Sequence, residues 1–131
     1  MAELLTVAIG YNSMSDLEEG ASNTAVGQSA GKSITTGDFN VAIGTDAMKG
    51  AAAITGVQNV AIGALAGYDM TGDCAYNVLI GASAGTNLTT SDYNTIIGAS
   101  AGLTLTTAAN NTFIGYQAGT LTTGANNTLI G

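Results

Sequence analysis

The chain has no proline, histidine or tryptophan, a single cysteine, Cys74, and only two basic residues, Lys32 and Lys49. Without histidine, the side chain that most often serves as a general base near neutral pH is missing, and only scattered carboxylates remain for that work. Cys74 has no second cysteine for a disulfide and no neighbouring base to activate it. No enzyme active site, metal centre or cofactor site is therefore expected. Charged residues make up 8% of the chain, against roughly 25% in an ordinary globular domain, so Thr, Ser and Asn must keep the surface wet. The net charge of −7 repels nucleic acid and anionic lipid. No segment approaches the roughly 20 apolar residues of a membrane helix. The stretch from Met1 to Leu5, with Glu3 and no basic flank, does not read as a signal peptide. A role outside a cell then implies another export route, release by lysis or a place within a longer chain.

What the chain has instead is glycine and a period. Asn111 to Gly119 reads N-T-F-I-G-Y-Q-A-G, and the same frame recurs on Gly10, Gly27, Gly44, Gly63, Gly81, Gly98, Gly115 and Gly131, at spacings of 17, 17, 19, 18, 17, 17 and 16 residues. The unit is N-[TV]-[AFIL]-[IV]-G-x-x-A-G-x-x-[LIM]-T-T-[GSA]-x-x. A fixed period of this kind marks a repeat array, in which each unit buries its apolar face on the next. The apolar residues recur at fixed slots, which excludes a disordered chain. Residues 23–131 form the array proper and end in an open coil. Residues 1–22 hold a degraded first coil, with Thr6 in the Asn slot and charge at Asp16, Glu18 and Glu19, read as a partial N-terminal cap or a junction. The coil from Asn40 has Ala47-Met48 in place of Ala-Gly and two extra residues within Gly50 to Ala53, expected as an outward loop.

The segment N-x-x-[IV]-G is short, β-branched and bounded by Asn and Gly, so it reads as a strand. The [LIM]-T-T segment reads as a second strand, with Ala-Gly and the polar residues after it as corners. Two short strands and two corners per turn give an all-β fold, a parallel β-solenoid or β-roll of about eight coils, roughly 35 Å long at about 4.8 Å per coil. The asparagines Asn23, Asn40, Asn59, Asn77, Asn94, Asn111 and Asn127 are expected to stack as a structural ladder, and the repeat glycines to serve a positive φ or a close backbone approach.

Strand alternation sends neighbouring slots to opposite faces. The large β-branched slot, Ile9, Val26, Ile43, Ile62, Ile80, Ile97, Ile114 and Ile130, together with Val7, Val41, Val60 and Val78, is assigned to the roll interior. The slot between them, Ala8, Ala25, Ala42, Ala61, Leu79, Ile96, Phe113 and Leu129, is then assigned to the outside. Strands apolar on both faces need cover on both, and an exposed stripe of this length exceeds what soluble monomers usually show. That stripe is therefore expected to be an oligomer interface, with burial growing toward the larger C-terminal side chains.

Other constellations have simpler readings. The recurring Gly-x-x-Ala-Gly nowhere opens a helix as a phosphate loop does. Asp38, Asp73 and Asp92 precede the Asn slot by two to four residues and read as a solvated acidic edge, since the Gly/Asp nonapeptide of Ca²⁺-binding rolls is absent. Phe39, Tyr76 and Tyr93, interrupted by Gln58, form a partial aromatic stripe suited to packing on an adjacent chain or stacking on a sugar. The rows Thr35-Thr36, Thr55, Thr71, Thr89-Thr90, Thr106-Thr107 and Thr122-Thr123 suit an exposed strand. An ice-binding surface is the sharper and lesser alternative.

The units N-T-F-I-G-Y-Q-A-G, N-T-I-I-G-A-S-A-G and N-V-A-I-G resemble the repeats of phage tail-fibre proteins and, more loosely, the N-x-x-A-I-G repeats of trimeric autotransporter adhesin heads. The resemblance covers Asn23 to Gly131. It implies a left-handed roll, three chains about a shared axis, and a stalk or receptor-binding shaft outside the cell or on a virion. The first coil, the insertion near Gly50 and the lack of a coiled-coil neck or trimerising chaperone segment depart from the pattern. The function expected is a structural and adhesive fibre segment that displays itself rigidly and attaches to a cell-surface saccharide or protein receptor. The alternative is a subunit that stacks head to tail into a filament, with Val7-Ala8-Ile9-Gly10 of one copy on Leu129-Ile130-Gly131 of another. Partners are accordingly further copies of the chain, a trimer first, with neither nucleic acid nor membrane insertion.

Overall fold

The computed structural model describes residues 5–131, so the stretch from Met1 lies, apart from Leu5, outside the described residues. Eight three-residue strands follow one another: β1 (Val7–Ile9), β2 (Thr24–Val26), β3 (Val41–Ile43), β4 (Val60–Ile62), β5 (Val78–Ile80), β6 (Thr95–Ile97), β7 (Thr112–Ile114) and β8 (Thr128–Ile130). They form one sheet in sequence order, every pair parallel and in the same register, as in Val7↔Thr24 and Thr24↔Val41. The chain is an all-β solenoid of about seven turns, roughly 34 Å along the stack at about 4.8 Å per coil.

The corner after each strand explains the spacing of the repeat. The amide three residues beyond the repeat glycine closes a turn on it, as in Ala47 N→Gly44 O at 3.2 Å and Ala84 N→Gly81 O at 3.1 Å. A second turn follows at once, with Leu88 N→Gly85 O at 3.0 Å and Leu105 N→Gly102 O at 3.1 Å. G-x-x-A-G-x-x-L is thus two consecutive β-turns that reverse the chain. At Gly44, φ is +129° and an added Cβ would stand 2.7 Å from the carbonyl of Gly63 in the next coil, so any side chain there would push the coils apart.

The strand expected at [LIM]-T-T does not form as such. Only Ile34, Ile54 and Gly72 make isolated parallel bridges. The remainder of that wall is turns and bends, joined by single bonds such as Thr89 N→Thr106 O at 2.9 Å. The differences in coil length all fall between one repeat glycine and the next Asn, so this wall cannot keep the register that a ladder needs. The residues of the insertion, Ala51, Ala52 and Ala53, are exposed.

The faces of the strands are the reverse of the sequence expectation. Ala25, Ala42, Ala61, Leu79, Ile96 and Phe113 are fully buried in the core, and Leu129 packs against it. Ala8, first in this row, is exposed. The slots assigned to the interior lie outside instead, with Ile43 and Ile114 each 37% exposed. The physical reason is the asparagine. Asn40, Asn59, Asn77, Asn94 and Asn111 are fully buried, and their amides donate inward to corner carbonyls, as in Asn40 Nδ2→Gly56 O at 2.9 Å and Asn77 Nδ2→Ser91 O at 2.7 Å. With the first slot committed inward, alternation takes the third slot inward with it.

A coil this short leaves a thin interior. Ile34, Met48, Ile54, Met70, Leu88 and Leu105 on the opposite wall fill it against the strand row. Two positions per coil share one space. In the coil of β3 the strand residue is Ala42 and Met48 occupies the second-turn slot, whereas the coils of β6 and β7 pair Ile96 with Gly102 and Phe113 with Gly119. A Cβ on Gly102 would meet Ile96 Cδ1 at 2.8 Å, and one on Gly119 would meet Phe113 Cδ2 at 2.5 Å. Met48→Gly is expected to cost about 2 kcal/mol by opening a cavity, and Ala42→Leu alone to cost 1–3 kcal/mol (approximate) by overpacking. The double variant should regain most of the loss, a favourable coupling visible in denaturation midpoints.

The asparagine row carries a second expectation. Asn77→Ala removes the donor to Ser91 O and the acceptor of Asn94 N at 3.0 Å, both buried, and should cost about 3 kcal/mol. Asn127→Ala acts at a partly exposed site and should cost about 1 kcal/mol or less by the same measurement.

Candidate functional surface

Among the described residues the surface has no pocket, no group of three metal-ligating side chains, and no helix long and apolar enough to cross a membrane. Gly27-Gln28-Ser29-Ala30-Gly31-Lys32-Ser33 lies in turns, with no helix after it. What the fold does create is a broad face on the outer side of the sheet. Its two central columns are Thr24, Val41, Val60, Val78, Thr95 and Thr112, and Val26, Ile43, Ile62, Ile80, Ile97 and Ile114. All twelve are half-buried or exposed within the single chain. The inter-coil ladder continues past the strand limits on both sides, through Tyr76 N→Val57 O at 3.1 Å and Ser100 N→Ala82 O at 2.9 Å, so the face is wider than the three-residue strands.

One edge of this face is the column before each Asn: Ser22, Phe39, Gln58, Tyr76, Tyr93, Asn110 and Asn126, all at φ between 56° and 61°. Asn suits that left-handed conformation, and aromatic residues do not. Phe39, Tyr76 and Tyr93 are nevertheless there and exposed, and Tyr76 and Tyr93 stack in parallel with ring centroids 4.9 Å apart. That spacing is the coil spacing, so the solenoid itself sets the stack. Local backbone preference does not call for aromatics here, and the contact the structure gives Tyr76 and Tyr93 is their stack on one another.

The acidic edge is partly structural. Asp38 Oδ1 accepts the amide of Ala21 at 2.6 Å and Asp92 Oδ1 that of Ala75 at 2.7 Å, one coil to the next. In the Thr rows, Thr35 and Thr89 donate to the carbonyls of Ile54 and Thr106 in the next coil, at 3.4 and 3.2 Å. Away from the face, Lys49 lies 3.4 Å from Asp46 and 3.5 Å from the Tyr68 hydroxyl, 5.3 Å above the Tyr68 ring centroid. The Tyr68 hydroxyl, then Asp46, hold its ammonium above the ordinary range. This cluster was not read from the sequence, since Lys49 and Tyr68 meet only because consecutive coils stack in register.

Cys74 is buried against the core, and its carbonyl accepts Asn59 Nδ2 at 2.7 Å. Burial first, then the nearby charges of Asp92 and Asp73, push its thiol up to about 12. Its burial and raised pKa suit a packing role. No family model, curated protein or solved structure matches the chain.

Because the folded thiol titrates higher than the unfolded one, the folded state keeps a proton that the unfolded state loses. Stability should therefore be unaffected by this group below the unfolded pKa and fall as pH rises from about 9 toward 12, by at most about 1.4 kcal/mol per pH unit. Chemical denaturation of wild type and Cys74→Ala at several pH values measures this: the packing difference between them should be constant below about pH 9 and change only in the alkaline range.

Proposed function

We propose that this chain is a non-catalytic rod segment that works as a homo-oligomer, a trimer first, and displays itself rigidly at a particle or cell surface. The observation that carries the proposal is the outer face of the sheet. From β2 to β7 its two central columns hold only Thr, Val and Ile, an apolar stripe running the length of the rod on a chain of net charge −7. Such a stripe needs cover, and none of the chain's acidic or basic residues stands in it. The interface proposed here is the Val/Ile face, and not the row of Ala8 to Leu129, whose members from Ala25 to Phe113 are core.

Receptor attachment, to a saccharide or a protein, is the adhesive part of the proposal, and its setting is extracellular or on a virion. The uninterrupted parallel stack supports the spacer part, since each coil bonds to the next through both backbone and asparagine. Binding of the purified chain to host cells and to a glycan array tests the adhesive part, and a chain that binds neither acts as a spacer alone.

Self-association is tested by native mass spectrometry together with Ile80→Asp. The wild type should be oligomeric. The variant should be a folded monomer, because Ile80 lies on the outside and a charge there would be buried unpaired only in the assembly. Phe113→Asp should instead unfold the chain, since Phe113 is fully buried inside the coil. A wild-type chain that stays monomeric at high concentration overturns the proposal.

A further inference from the structure

We infer that Tyr76 and Tyr93 form a site of oxidative coupling, at which a one-electron oxidant joins two successive coils of one chain through a dityrosine bond. The two residues occupy the same slot, immediately before Asn77 and Asn94, in neighbouring turns of the solenoid. Both are exposed, and their rings stack with centroids 4.9 Å apart and planes 2° from parallel. Their backbones share one left-handed setting, with φ of 59° and 58°. Each is tied to the coil before it, through Tyr76 N→Val57 O and Tyr93 N→Ala75 O, both 3.1 Å. The coil stack itself therefore holds the two phenols side by side. The inference is independent of the proposed homo-oligomer, since both rings belong to one copy.

Of the chain's five tyrosines, only these two share a column in adjoining coils. Tyr11 and Tyr116 each follow a repeat glycine but stand six coils apart, roughly 29 Å at about 4.8 Å per coil. Tyr68 shares its column with Lys49 and Thr86 in the adjoining coils, and its ring faces the Lys49 ammonium. Phe39 is two coils from Tyr76 and has no hydroxyl hydrogen to lose. Cys74, Met14, Met48 and Met70, side chains that oxidants attack when they can reach them, are buried.

The oxidant required is a peroxidase with hydrogen peroxide or another one-electron acceptor. It removes one electron and one proton from each hydroxyl, and the peroxide is reduced to two waters. The unpaired electron of each phenoxyl radical is shared with the ring carbons beside the oxygen-bearing one, Cε1 and Cε2. One such carbon of Tyr76 bonds to one of Tyr93, and the hydrogen each carried moves to its own ring's oxygen, restoring both phenols. In sum, two tyrosines and one hydrogen peroxide give one dityrosine and two waters. Between separate molecules the encounter of two radicals limits this reaction, whereas here the fold has already made it intramolecular. Closing the remaining gap requires the rings to tilt, which the broad torsion about the bond to the ring allows in exposed side chains. The bond joins residues 17 positions apart, and closing such a loop stabilises a fold chiefly by restricting the unfolded chain, as a disulfide does.

The test is oxidation of the full chain by a peroxidase and hydrogen peroxide, followed by the blue fluorescence of dityrosine, by size on a denaturing gel and by peptide mass. The wild type should give a fluorescent product of single-chain size whose yield does not change on dilution. Cleavage before aspartate separates Tyr76, in residues 73–91, from Tyr93, in residues 92–131. In the product these two peptides should be joined and lighter by two hydrogens. Tyr76→Phe and Tyr93→Phe should each lower the single-chain product about tenfold or more. Adding Gln58→Tyr to Tyr93→Phe should restore it, because position 58 adjoins Tyr76 in the same column. The linked chain should also unfold at a higher urea midpoint than the unlinked one, and an equal midpoint denies the bond a stabilising role. Dityrosine found only in multiples of the chain, a single-chain product that the phenylalanine variants retain, or a yield no higher from folded than from urea-unfolded chain overturns the inference.

Discussion

The inward-facing asparagine is the interaction on which the rest of this structure depends. Its Oδ1 accepts the backbone amide of the asparagine one coil on, at 2.8 to 3.1 Å from Asn23 to Asn127, and its Nδ2 reaches a carbonyl of its own or a neighbouring corner. Each side chain therefore ties its strand to the next coil and closes the corner that delivers the chain to the strand. Being polar and buried, it would be costly if its partners were misplaced, so it fixes both the register of stacking and the direction in which every later side chain of the strand points.

From that direction follows a division of labour between the two sides of a three-residue strand. The inward side must fit a space only one side chain deep, so a large residue in one of its two slots accompanies a small one in the other, as Met48 with Ala42 and Phe113 with Gly119 show, while Ala25 with Gly31 and Ala61 with Gly67 are small in both. The outward side is free of that restriction. It holds Val, Ile and Thr throughout, residues that suit the pleat. Their apolar surface answers to no demand of the coil that bears them. At the edge of the outward face, Tyr76 and Tyr93 stand exposed at positive φ and stack on one another.

Among the described residues the rod has no pocket, and its surface repeats about every 4.8 Å.

The period, the strands and the asparagine row are legible in the sequence, because a solenoid repeats its local chemistry and each unit sees nearly the same neighbours. The corner at Ala-Gly is legible too, but that G-x-x-A-G-x-x-L makes two consecutive turns came from the structure. Which face of the strand is inside was not legible from hydrophobicity, because Val-Ala-Ile is apolar on both sides and size suggested the wrong one. Only the tertiary structure decided it, through the direction of an amide buried beside the corner carbonyls. The second strand failed for a related reason: Thr-Thr has strand propensity, but coil lengths vary on that wall and pairing needs constant register. The outer face and its edges likewise emerge only when residues 16 to 19 positions apart are stacked in register, which converts a column hidden in the sequence into a surface.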